Sequence, residues 1–116
     1  MAIRYKHPLD RTFHALGDDT RRRMLSMVCE RGACSAGQFV DAFDSAQPTI
    51  SKHLRVLEKA GLLQRHVQGR RHTFTLAEAE LQRANGWLGR HLSLWENSLN
   101  QLGAFLDTHA SKGGDK

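Results

Sequence analysis

Residues 47–63 read QPTISKHLRVLEKAGLL, and this stretch decides the fold. Ile50, Leu54 and Leu57 recur at i, i+4 and i+7, which makes one apolar stripe along a helix. Gln47, Thr49, Ser51, Lys52 and Arg55 fall on the other side. Pro48 suits the first helical position, where a missing N–H costs nothing. Gly61 stops the helix before Leu62 and Leu63. Such a helix is held rigidly from behind and presents short polar and basic groups in front. Reading base edges in a major groove requires that combination.

Downstream, LLQRHVQGRRHTFTL reads as two strands about a turn at Gln68-Gly69, where glycine permits positive φ. The alternation is loose, because Arg65 interrupts Leu63 and Val67. Upstream lie three helices. The first covers 9–16 and closes at Gly17. The second opens at DDTRRRML, with Asp18 as cap and Asp19 at the positive end of the dipole. Its Met24, Leu25, Met27 and Val28 follow helical spacing, and Gly32 ends it. The third is short, SAGQFVDAF, with Ser35 as cap and Phe39, Val40 and Phe43 facing inward. DSAQ is the turn into the polar-faced helix. The fold expected is mainly α with a small β-hairpin wing, a winged helix-turn-helix.

A long helix follows from 77 to about 109. Leu81, Ala84, Leu88, Leu92, Trp95, Leu99, Leu102 and Leu106 repeat at spacings of three and four, nearly a heptad seam. A domain this small cannot cover so long a stripe, so the same helix of a second subunit, or the first helix of that subunit, is its simplest cover. One domain is expected over 1–110, with SKGGDK at 111–116 a disordered tail.

The 116 residues carry a net charge of +5. Its placement matters more than its sum. Between Gln47 and His72 lie Lys52, Arg55, Lys59, Arg65, Arg70 and Arg71 against the single acid Glu58. Elsewhere 11 basic and 11 acidic residues balance. A basic patch on a neutral body points to a polyanion. Gln47, Thr49 and Ser51 are short enough for a groove, while Lys52, His53 and Arg55 reach phosphates or guanine edges. Arg70 and Arg71 at the hairpin tip suit a minor groove or backbone. Arg22, with Arg21 and Arg23, either adds phosphate contacts or is plain surface charge. His53 lies close to the apolar stripe, so a structural histidine is its other reading.

No signal-peptide-like or membrane-spanning run occurs, which points to a cytoplasmic chain. No nucleophile–base pair, phosphate loop or paired carboxylates mark an enzyme. Cys29 and Cys34 stand four residues apart, neither a disulfide framework nor the C-x2-C of common zinc modules. Cys29 reads as a small buried apolar residue. Cys34, near a helix N-terminus, is expected to have a lowered pKa and to be oxidisable. The seven histidines form no H-x2-H or H-x3-H pair. No cofactor is expected.

Together, FHALGDDTRRRML, SAQPTISKHLRVLEKAGLL and QGRRHTFTL resemble the ArsR/SmtB family of bacterial winged-helix repressors, in order and over residues 13–76. The resemblance implies a homodimer, with the first and last helices at its interface. That places Leu9 and Phe13 beside Leu88, Leu92, Trp95, Leu99, Leu102 and Leu106. It also implies an inverted-repeat operator bound through the polar-faced helix and the wing, usually to repress the chain's own operon. Two departures stand out. Family members often carry Ser before the QP, where Ala46 stands here, leaving Ser45 or Asp44 to substitute as cap. The C-x-C pair that binds soft metals in many members falls on Ser35 and Gly37. The four ligand positions of the family's other metal site fall on Leu88, Arg90, Gln101 and Ala104, none a good zinc ligand. The expectation is a repressor of double-stranded DNA acting without a metal, its effector unknown. A repressor gated by metalloid or oxidant through Cys29 and Cys34 is the first alternative. A winged helix that binds a protein partner is the second.

Overall fold

The computed structural model describes residues 7–113, with side chains through Thr108. In chain order the elements are α1 (Pro8–Leu16), α2 (Asp19–Arg31), β1 (Ala33–Ser35), α3 (Ala36–Ala42), α4 (Gln47–Lys59), β2 (Leu63–Gln68), β3 (Arg71–Leu76) and α5 (Glu78–Gly113). Contacts divide the chain into two compact units, Met1–Ala84 and Asn85–Lys116. The first holds the helices and sheet of a winged helix-turn-helix. The second is formed by the remainder of α5. The tail expected from residue 111 is helical in its backbone to Gly113, and 114–116 lie outside the described residues.

Local chemistry sets the helix ends. His7 Nδ1 accepts from the Leu9 N–H at 3.1 Å, and Pro8 opens α1. Asp18 Oδ2 accepts from the Arg21 N–H at 3.0 Å and caps α2. At α3, Ser35 and Gln38 cap reciprocally: Ser35 Oγ accepts from the Gln38 N–H and Gln38 Oε1 accepts from the Ser35 N–H. α4 has no side-chain cap, so neither Ser45 nor Asp44 replaces the missing serine. The Ala46 carbonyl instead accepts from the Thr49 and Ile50 N–H groups at 3.0 and 3.1 Å. Helix α4 starts at Gln47, so Pro48 is its second residue rather than its first.

The sheet has three strands in the order β1-β3-β2, all antiparallel. β1 is an addition to the expected hairpin. At three residues it is too short to show a period of two. It pairs Cys34 opposite Phe74 and closes the sheet over the core. The wing turn is Gly69-Arg70, one residue later than expected, because Gln68 and Arg71 are paired. Gly69 has φ of +61°, and it occupies the first central position, where tight hairpin turns favour glycine.

The core gathers Met24 and Val28 of α2, Phe39 of α3, Ile50, Leu54 and Leu57 of α4, then Leu62 and Phe74. Phe39 and Phe74 meet edge to face, with centroids 6.0 Å apart. Thr12, buried in α1, satisfies its hydroxyl on the Pro8 carbonyl at 3.1 Å. Among the described residues, no helix is long and apolar enough to cross a membrane.

Candidate nucleic-acid interface

The stripe that anchors α4 is sealed: Ile50, Leu54 and Leu57 are 1%, 3% and 0% exposed. Gln47, Thr49, Ser51, Lys52 and Arg55 all lie exposed on the outer side. Such a helix is fixed in rotation by its core while its polar row remains open. After Lys59 the chain reverses at Gly61, whose φ is +78°. A Cβ there would lie 3.0 Å from Glu80 Cγ, so the backbone conformation favours glycine and the space for a side chain is tight. The wing therefore leaves directly from the end of α4.

Not all of the basic residues are open. Arg65 is committed to Glu58, with Nε 3.0 Å from Oε2 and Nη2 2.5 Å from Oε1. Lys52, Arg55, Lys59, Arg70 and Arg71 are exposed, with no ion-pair partner among the described residues. Once Arg65 and Glu58 cancel, these five cations carry the whole charge of the segment. They line α4 and the wing turn, where a duplex backbone would supply the counter-charge.

Residues 18–65 match the family model described as "Bacterial regulatory protein, arsR family". Transcriptional repressor SdpR of Bacillus subtilis is 29% identical over 91 residues, which cover 78% of this chain and 100% of that relative. HTH-type transcriptional regulator CmtR of Mycobacterium tuberculosis is 35% identical over 80 residues, covering 69% of this chain and 67% of that one. A crystal structure of an ArsR family transcriptional regulator superposes with a TM-score of 0.72 at 33% identity, over 82% of this chain and 97% of that one. This chain belongs to the ArsR family. It is a DNA-binding transcriptional repressor and not an enzyme.

In this ArsR-family chain the expected site residues separate into groups. Gln47, Thr49, Ser51, Lys52 and Arg55 share one face of α4, and Arg70 and Arg71 are adjacent at the wing tip. His53 is apart from them. Its side chain is 17% exposed and turned inward, with Nδ1 3.3 Å from Arg21 Nη1 and 3.8 Å from Asp18 Oδ2. The structural reading of His53 therefore describes its position better than the phosphate-contacting one. Arg21 is tied down as well: Nε donates to the Ala15 carbonyl at 2.8 Å and Nη2 to the His14 carbonyl at 3.1 Å. Arg22 is exposed on α2, but Nη1 donates to the Leu16 carbonyl at 2.6 Å and Nη2 lies 3.9 Å from Asp19. Arg23 lies 3.6 Å from Asp19 and 5.7 Å from the Phe43 ring centroid.

The burial of the two cysteines is the reverse of that expected. Cys34 points into the core from the middle of β1, and burial pushes its thiol pKa up rather than down. Strand alternation overrides proximity to the α3 N-terminus. Cys29 is exposed, because α2 turns Met24, Leu25 and Val28 inward and leaves Cys29 on a groove with Leu16, Leu25, Leu76 and Leu81. Among the described residues no three His, Cys, Asp or Glu side chains gather as a metal set.

On α5, Leu88, Leu92, Trp95, Leu99, Leu102 and Leu106 are 44–65% exposed. On α1, Leu9 and Phe13 are partly buried. The two tryptophans flank His91: Trp87 stacks on its ring at 4.0 Å, and Trp95 approaches edge-on at 6.3 Å. The Arg65–Glu58 pair was missed by sequence reasoning. Its only signal was the one acid among six bases.

Proposed function

We propose that this repressor acts as a homodimer on an inverted-repeat operator, without a metal. Two copies of α4 enter successive major grooves about 34 Å apart, and the wings flank them. The observation that carries this reading is the set of five cations around the open polar row of α4 that have no ion-pair partner among the described residues. The dimer rests on the half-exposed stripe of α5, whose six large apolar side chains would stand in water in a monomer. The ligand positions of the family's metal sites hold Ser35, Gly37, Leu88, Arg90, Gln101 and Ala104, a donor set unsuited to zinc or thiophilic ions. A thiol-gated variant, the second reading, draws on the exposure of Cys29, but burial of Cys34 works against a paired switch.

The test is fluorescence anisotropy of the reduced, chelator-treated protein on its own upstream DNA, repeated with zinc, arsenite and mild peroxide. Tight, salt-dependent binding unchanged by all three additions is expected. Release by arsenite or peroxide alone transfers the gate to Cys29 and Cys34. No salt-dependent affinity for any DNA favours a protein-binding module instead.

A further inference from the structure

Among the described residues, Arg65 is the one lysine or arginine of the 47–72 segment with an ion-pair partner. It pairs with Phe74 across β2 and β3, so the two side chains share a sheet face, and its guanidinium lies 4.9 Å from the Phe74 ring centroid. From there it grips Glu58, the penultimate residue of α4, through both carboxylate oxygens. The remaining arm, Nη1, donates to His72 Nδ1 at 3.0 Å, on the returning strand. One side chain thus binds α4, β2 and β3 together. The fork of arginine suits a bidentate grip in a way that a lysine ammonium does not. Hydrogen bonding to Glu58 holds Arg65 charged even beyond its ordinary range.

Glu58 makes little sense as a DNA-facing residue. It is the only acid among residues 47–72, and a carboxylate there repels phosphate. It makes sense as half of a fastening. Only Ala60, Gly61 and Leu62 connect α4 to β2, and Gly61 is a swivel at φ +78°. The hairpin reaches about 16 Å beyond Arg65, at roughly 3.3 Å per residue. A tilt of about 10° at its base therefore moves Arg70 and Arg71 by about 3 Å, enough to lose a phosphate contact.

We infer that Arg65 and Glu58 form a positioning pair that locks the wing to the recognition helix and so sets the spacing between the two DNA-contacting elements. This rests on the DNA-binding reading above. The test uses wild type, R65K, R65A, E58Q and the exchanged double variant E58R/R65E, each checked for unchanged folding by circular dichroism. Binding is measured by anisotropy across a salt series. The probes are a duplex enriched by the wild-type protein from a random-sequence library, and poly(dI-dC). Charge counting alone says E58Q tightens binding, and that R65K changes nothing. The pair says that each loses about fivefold on the enriched duplex, with little change on poly(dI-dC) and an unchanged salt slope. The exchanged variant recovers most of that loss. Tighter binding by E58Q on both probes, or R65K matching wild type, overturns the inference. So does R65A lowering the salt slope by about one, the mark of a phosphate contact. A wild-type protein with no salt-dependent affinity overturns the DNA-binding reading itself.

Discussion

Helices α4 and α5 are both amphipathic, yet their apolar faces meet different fates. Ile50, Leu54 and Leu57 of α4 are at most 3% exposed, whereas the stripe of α5 from Leu88 to Leu106 is 44–65% exposed. The first stripe is used up within its own unit and fixes the orientation of a polar row. The second has a similar repeat, but its described side chains stay half exposed. Equal periodicity does not mean equal function. A stripe that is buried positions its opposite face, and one left open is itself a surface for association.

The largest effect is expected where the contrast is sharpest. Leu54→Ala empties a sealed site and should lower the stability of the folded chain by about 2–5 kcal/mol, read by chemical denaturation. Leu99→Ala should cost clearly less at low protein concentration, where no partner covers it. Equal costs would erase the distinction between the two helices. Next, Leu92→Glu with Leu99→Glu should leave the fold intact but give a monomer in sedimentation, with operator affinity reduced by about 100-fold through lost bivalency. A dimer that persists would mean that the α5 stripe is not the seam.

Smaller effects divide the polar row of α4 from the wing. Thr49→Ala should cost about 1–3 kcal/mol at one base pair while sparing random DNA. Arg71→Ala should weaken all DNA alike and lower the salt slope by about one unit. If the two variants behave alike, helix and wing share one role.

The smallest effect concerns the start of α2. The Arg21 N–H, first among its causes, holds the Asp18 carboxyl below its ordinary value. A carboxylate lowered in the folded state adds stability that is complete above the unfolded value of about 3.9 and disappears as pH falls through the folded value. Asp18→Ala should therefore destabilise at neutral pH by about 1 kcal/mol or less. The gap should close below about pH 4, and a constant gap would assign the loss to packing.

Much of this was legible in the chain because it depends on neighbours in sequence. Ile50, Leu54 and Leu57 recur at helical spacing, Asp18 and Ser35 precede their helices, and Gly61 and Gly69 mark two reversals. Those signals defined the helices, the hairpin and the polar row, since capping, periodicity and turn chemistry act over a few residues. The loose alternation of β2 has a cause: Arg65 shares a sheet face with Phe74 and closes on Glu58. Likewise, the basic count between Gln47 and His72 said nothing of which cations were already spent. Tertiary contact alone decided that Arg65 is tied to Glu58 and that His53 turns inward while Arg55, Arg70 and Arg71 stay open. It also decided that β1 adds a third strand and that Cys34, not Cys29, lies in the core. These are choices between faces and partners far apart in the chain, and no local spacing encodes which one wins.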